Sequence, residues 1–593
     1  MSEYKTSPKD MLTLDFETEG IVGNPIVSPP VPVGLAVRWP SGDKEYITDL
    51  RVAKEIFLQA IGNRQPMLFH NAPFDLSVAE KWLGVPWPDW GLVHDTIYLL
   101  YLKDPYAKSY ALKHNAERYL GIPPDEQDAC KAWIMDNVPE ARDSDWGKHL
   151  SKVPEPILEP YAKQDVEDTY LLFDLLYPET QVPAYDRERE LMPTLINATK
   201  RGVRVAVAPL EQALEVYTAA LERADALLGT TLRVPNLNPN SPAQLADALD
   251  NIGAVDKWTY TPTGNKSCDM KKLRIKDPVL MNLLRYRSVL KTILGTFIKG
   301  WLSLENGGRL HPSWNPTKSD TEGGTRTGRL SSSRPNFQNI PNPKELMPID
   351  GLPELPAMRN FILPESGHVW IKRDFSAQEI RVMAHFEGGA LAQAFRDDPN
   401  LDPHEMVRKE ILAISGKDYP RKYVKETGFG ILYGMGAATL GGRLGIDSSK
   451  SRNLMAAYKR AIPGVEKLQK GTKRRGYAQE PIRTWGGRLI YTEPPRPIQG
   501  VMRSFEYKLL NYLIQGSSAD QTKQCIIEWD KERGAEDMFM ATVHDEINIS
   551  APIEDAKLAM STLRRCMEDI CEFSVPMRSD GFSGPSWGEV GDE

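Results

Sequence analysis

HVWIKRDFSAQEIRVMAHF, residues His368 to Phe386, is the stretch on which the reading of the second half of the chain turns. Val369, Trp370 and Ile371 look like the end of a buried strand, and Asp374 follows where the extended run gives way to a helix. From Ser376 onward the apolar residues Ile380, Met383 and Ala384 fall at helical spacing. A carboxylate at a strand end can be held rigidly while still facing a cleft, so Asp374 is a candidate ligand for a divalent metal ion. The competing reading is local, because Ser376-Ala-Gln-Glu379 fits the capping box S-x-x-E. Taken alone, the stretch favours capping. The rest of the chain reverses that preference.

The chain has 593 residues, too many for one core, and is expected to hold roughly three to five domains or subdomains. Its 41% hydrophobic and 26% charged content is that of an ordinary globular protein. There is no apolar run long enough to span a membrane, and MSEYKTSPKD lacks the apolar core of a signal peptide, so a cytoplasmic location is expected. Cys130, Cys268, Cys525, Cys566 and Cys571 are scattered and odd in number, which argues against a disulfide framework or a zinc site. The net charge of −7 decides nothing about nucleic acid, since acidic clusters that gather cations offset basic grooves elsewhere.

Acids recur at the ends of other apolar runs. Met11 to Phe16 reads as a buried strand that leads into Asp15-Phe-Glu17, with both carboxylates on one side. Two such groups repel unless a cation lies between them. Met67 to Asp75 reads as a short strand and a turn carrying Asn71 and Asp75, and Tyr161 and Asp165 stand one turn apart on a helix. Each piece alone is weak, but their order is not. A DxE, an N-x3-D and a YxxxD within about 150 residues resemble the DEDD-type 3′–5′ exonucleases of the Tyr-containing kind. That resemblance implies a mixed sheet flanked by helices. It makes Asp15, Glu17, Asp75 and Asp165 the ligands of two Mg²⁺ or Mn²⁺ ions, with Tyr161 orienting the attacking water.

Beyond a boundary expected near residue 185, in the breaker-rich Pro178 to Pro193, two long antiparallel helices are expected over Leu210–Leu228 and Pro278–Leu304. The second carries Arg285, Arg287, Lys291 and Lys299, either a solvated face or a grip on a phosphate backbone. Thr325 to Pro341 has few long apolar runs and many hydrogen-bonding side chains, which suits a loop along a polar partner better than a core. Arg421, Lys425, Phe429 and Tyr433 recur every fourth residue and are followed by Gly434, so they share one slowly turning helix face. Two cations followed by two rings suit phosphate binding plus base stacking. Phe539 to Ile549 reads as strand, turn, strand, with Asp545 and Glu546 at the apex.

TGRLSSSRPNFQNIP, the Arg421-to-Gly434 face, DFSAQE and His544-Asp545-Glu546 together resemble the family A DNA polymerases, the class of bacterial polymerase I. The resemblance implies a multidomain α/β and α+β chain. An RNase H-like exonuclease domain would cover 1–185 and a right-hand polymerase domain 186–593. The palm would lie at about 186–204, 307–385 and 500–593, the thumb at about 205–306 and the fingers at about 386–499. It implies that Asp374 and Asp545, with a backbone carbonyl near Phe375, hold two Mg²⁺ ions for transfer of a nucleotide to a primer 3′-hydroxyl. Arg421, Lys425 and His404 would contact the triphosphate, and Lys425 would protonate the pyrophosphate. Phe429 would lie on the sugar and base, where it would disfavour dideoxynucleotides. Tyr433 would stack at the templating position, and Glu379 would exclude a 2′-hydroxyl. Arg329, Asn336, Gln338, Asn511, Gln515 and His544 would contact primer–template DNA, whose minor-groove acceptors are present on every pair.

DFSAQE, at Asp374 to Glu379, departs from the family's commoner DYSQIE, and Tyr507 stands where the family usually has a basic residue. The pattern is that of a monomeric, phage-type replicative enzyme without a 5′-nuclease domain. Its partners would be primer–template DNA, dNTPs and replisome proteins such as a helicase–primase and a single-strand binding protein. A single-subunit RNA polymerase and a catalytically silent nucleic-acid-binding protein are the alternatives. The first has no use for Glu379 or an exonuclease domain, and the second has no need of every carboxylate.

Overall fold

Leu12, Leu14 and Phe16 are buried on the strand Leu12–Thr18, which forms the middle of a five-stranded sheet. The computed structural model describes residues 7–180, 182–318, 322–341, 346–498 and 500–592. In space the strands run Lys44–Ile47, Pro32–Arg38, Leu12–Thr18, Met67–Phe69 and Val93–Asp95. The first two pairings are antiparallel and the last two parallel, giving the mixed sheet expected. The helix Glu155–Leu176 packs on it, and Phe57 from the helix Leu50–Gly62 stacks on Phe16 at 5.7 Å.

Two local expectations are corrected here. Asp75 stands on a helix, Ala72–Val78, and not in a turn. Pro73 occupies its first turn, where a missing N–H is tolerated, and the Asp95 carboxylate accepts the N–H groups of Asn71 and Ala72. The breaker-rich Pro178 to Pro193 does not interrupt the chain as expected, since most of it belongs to the 20-residue helix Val182–Arg201. Tyr185, Leu191, Leu195 and Ile196 are buried there. That burial outweighs the hydrogen bond that Pro193 cannot make.

The second large sheet is antiparallel, in the order Met538–Val543, Glu546–Pro552, His368–Phe375, Ser579–Gly584 and Gly591–Asp592. The helix Leu509–Arg533 is buried along most of its length and packs against Val182–Arg201, Gln378–Glu387 and Ala556–Glu568. The helices from Gln378 to Tyr477 pack on one another and on Leu509–Arg533. On another side, Val207–Thr231 packs against Pro278–Leu304, whose course passes through a wider π-type stretch at Ile293–Lys299. Thr325–Pro341 contributes more core than its composition suggests, with Leu330, Phe337 and Ile340 buried and Ser331–Ser333 paired to Ser313–Asn315.

Candidate active sites

Strand register brings the two distant acids of the second sheet together. Asp374 sits opposite Glu546 on one side and Asp580 on the other. Asp545 lies in the turn between Met538–Val543 and Glu546–Pro552, next to His544, which takes a left-handed φ of 60°. The Phe375 N–H donates to the Asp545 carbonyl at 3.2 Å. Burial, then the neighbouring Asp545 carboxylate, push Asp374 up to about 7. Burial also raises Asp545. One buried oxygen of Asp374, Oδ1, has no hydrogen-bond partner among the described residues. Glu546 differs. Burial works to raise it, but Arg359 at 3.4 Å and Lys372 at 3.2 Å overcome that and hold it below the ordinary carboxylate value. It is a structural anion inside the sheet.

The capping box does not form. The helix begins at Gln378 after Ala377, which has a left-handed φ of 56°. Ser376 Oγ donates to Asp580 Oδ2 at 2.7 Å, while Glu379 pairs with Arg329. The Tyr433 hydroxyl donates to Glu379 at 3.5 Å and accepts from Gln515 Nε2 at 3.1 Å. Arg329, Glu379, Tyr433 and Gln515 therefore form one polar chain across a cleft of about 540 Å³.

The opposite wall of that cleft is the helix Arg421–Leu432 together with His404. Arg421 is held by Asp402 at 2.6 Å, and Lys425 has no ion-pair partner among the described residues. The Phe429 ring lies 6.4 Å from Tyr433 and 6.1 Å from His404. Burial and then Arg421 lower His404 to about 4, so its imidazole is neutral. Gly434 has a φ of +64°, and a Cβ there would come within 2.5 Å of the Tyr507 ring. The Tyr507 ring thus packs closely against the end of the helix.

The remaining candidates are less uniform. Gln338 Nε2 donates to the carbonyls of Leu330 at 2.9 Å and Thr542 at 3.3 Å, so its donors tie the loop to the hairpin. Asn336 is exposed, and its side chain accepts from the Gln338 N–H at 2.9 Å. Asn511 opens to solvent at the start of the otherwise buried Leu509–Arg533 helix.

In the first sheet, carboxylate oxygens of Asp15, Glu17 and Asp165 lie within 4.8 Å of one another. Asp75 stands beside this trio, with Oδ1 accepting from the Phe16 N–H at 2.9 Å and Oδ2 buried without a partner. Burial, then Asp165, push Asp15 up to about 8, and burial carries Asp165 to about 6. Glu17 and Asp75 rise well above the carboxylate range, chiefly through burial. Tyr161 is half-buried beside Asp165. Sequence reasoning missed Lys113, which pairs with Asp165 and reaches Asp168 at 3.1 Å, and it missed the supporting role of Asp95. Nothing local distinguishes Lys113 from any other lysine on an amphipathic helix.

The family description "DNA polymerase family A" matches residues 208–589. The chain belongs to DNA polymerase family A. It is 25% identical to the DNA polymerase DpoZ of Vibrio phage phiVC8, across 94% of this chain and 93% of that protein. It is 28% identical to the DNA polymerase I of Geobacillus stearothermophilus, across 86% of this chain but only 57% of that longer enzyme. The fold matches a solved structure described as the POL domain of Pol1 from M. smegmatis in complex with DNA primer-template and dNTP. The TM-score is 0.75 at 21% identity, over 97% of this chain and 95% of that one. Among the described residues of this family A polymerase no helix is long and apolar enough to cross a membrane.

Proposed function

We propose that the cleft at Asp374 and Asp545 extends a primer 3′-hydroxyl with dNTPs and that the cluster at Asp15, Glu17, Asp75 and Asp165 removes 3′-terminal nucleotides. The observation that carries this is the half-buried Asp374, raised by burial and by the neighbouring Asp545, together with a cleft in which Asp545 faces a helix of cations and rings. The unpartnered Asp374 Oδ1 and Asp75 Oδ2 and the raised acids suit hard divalent cations such as Mg²⁺ or Mn²⁺. Such ions would acidify the attacking hydroxyl or water and offset charge on the leaving oxygen. In the polymerase cleft, Arg421 and Lys425 receive the triphosphate, with Arg421 released from Asp402 when it does so. Neutral His404 donates one hydrogen bond to it. Phe429 and Tyr433 give the base and sugar an aromatic wall, and Glu379, fixed by Arg329 and Tyr433, occupies the space of a 2′-hydroxyl. In the exonuclease cluster, Tyr161 orients water beside Asp165. On this reading residues 1 to about 185 form the exonuclease domain, and the remainder forms palm, thumb and fingers around primer–template DNA, acting in replication. Primer extension with and without dNTPs tests both activities in one gel. Magnesium-dependent lengthening with dNTPs and shortening without them are expected. Extension with rNTPs in preference to dNTPs would favour an RNA polymerase.

A further inference from the structure

The exonuclease-side sheet ends in the strand Val93–Asp95, and the helix Thr96–Lys103 follows it directly. On that helix Tyr101 is almost fully buried, and its hydroxyl leaves its own domain. It donates to the Thr325 carbonyl at 2.8 Å and accepts from the Gly328 N–H at 2.9 Å. One hydroxyl therefore clamps both sides of a four-residue turn. Thr325 Oγ1 closes the same turn onto the Arg329 carbonyl at 2.6 Å. The back of the turn is Arg488. A Cβ on Gly328, which has a φ of +82°, would lie 2.7 Å from the Arg488 guanidinium. Arg488 is itself fixed by Glu188 at 2.7 Å and Asp520 at 3.1 Å. The next residue is Arg329, whose side chain reaches Glu379 in the nucleotide cleft.

We propose that Tyr101 is a positioning residue for DNA synthesis, through which the exonuclease domain sets the turn that aims Arg329 at Glu379. This rests on the reading of Glu379 as the wall that senses the sugar. Without the hydroxyl, the Gly328 N–H and the Thr325 carbonyl lose their partner in a dry site, and the turn relaxes to find others. Arg329 then loses its fixed origin, and Glu379 keeps only its bond from Tyr433. The cost falls on binding and selection of the nucleotide, because Asp374 and Asp545 stand on strands that the turn does not hold.

The test is Tyr101→Phe in the full-length protein, which removes one oxygen and leaves the ring in place. The KM for dNTP should rise about three- to tenfold, as for loss of one buried hydrogen-bond group, and selectivity against rNTP should fall by a similar factor. The kcat for dNTP and the excision of a single-stranded 3′ end should stay unchanged. Thr325→Val, which opens the turn without touching the exonuclease domain, should shift the same two constants. It carries the test by itself if the tyrosine variant does not fold. Unchanged KM and selectivity in the folded variants would overturn the proposal. So would a parallel loss of both activities with melting temperature, which marks a merely structural bond. Glu379→Ala is the control for the underlying reading: if it leaves rNTP exclusion intact, the reading of Glu379 has failed, while the KM of Tyr101→Phe still judges the link.

Discussion

The backbone N–H of Phe375 donates to the carbonyl of Asp545, tying the end of one strand to the turn of a hairpin far along the chain. That bond brings Asp374 beside Asp545, whose side chain lines the cleft. Burial makes both costlier to ionise, and the Asp545 carboxylate adds to the cost at Asp374. Asp545→Asn keeps the shape and removes one charge. Extension should fall on the order of 10³-fold, the scale for loss of a group that stabilises charge in the transition state. Excision from a single-stranded 3′ end should continue at its normal rate. Loss of both activities in a variant with normal melting would refute two independent centres.

The acid cluster in the other sheet makes a pH-dependent prediction. Asp15 is raised to about 8 and Asp165 to about 6 in the folded protein, chiefly by burial. A carboxyl whose pKa rises on folding binds its proton more tightly in the folded state. The stability it lends is present below the unfolded value of about 4 and is lost as pH climbs through the folded one. Without metal, the melting temperature should therefore fall between about pH 5 and pH 8. Added Mg²⁺ should raise it, and more so at the higher pH, by mass action on the folded state. Asp15→Ala with Glu17→Ala should flatten both trends and abolish 3′ degradation while extension continues. A metal-induced shift that survives the double substitution would sink the assignment.

Glu379 is held by Arg329 on one side and by the Tyr433 hydroxyl on the other, so its position does not depend on substrate. Glu379→Ala should lower discrimination against rNTPs by about 10- to 100-fold, the range for opening space in a shaped pocket. Competition of dNTP with rNTP on one primed template measures this. Tyr433→Phe, which loses the bonds to Glu379 and Gln515 but keeps the ring, should give a smaller change in the same direction.

Much of the fold was legible because periodicity and turn chemistry agree with it. The strand at Val369–Ile371, the hairpin at Asp545 and the helix Arg421–Leu432 all follow from local pattern. What stayed hidden depends on partners remote in sequence. The S-x-x-E pattern at Ser376 yields to Asp580 and Arg329, because both side chains find stronger partners than a helix end. Pro193 does not break its helix, because the residues around it are buried. Lys113 and Tyr101 act only through contacts that the sequence does not announce.

The cations of the helix Pro278–Thr292 and its continuation divide into two kinds, and two substitutions should separate them. Arg287 is buried, paired with Asp225 at 2.5 Å and with Asn240 at 2.9 Å, so it joins the two long helices and does not face a phosphate. Arg285, Lys291 and Lys299 are exposed. Removing one member of a buried pair leaves the other without compensation, whereas an exposed cation contributes mainly by releasing counterions from DNA. Arg287→Met should cost about 2–4 kcal/mol of stability, read as an earlier denaturant midpoint, with little change in the salt dependence of DNA binding. Arg285→Ala should leave the midpoint in place. It should weaken primer–template binding uniformly across sequences and reduce the slope of log K against log salt by about one. If Arg285→Ala shifts the midpoint and Arg287→Met the salt slope, the helix presents the opposite face to DNA.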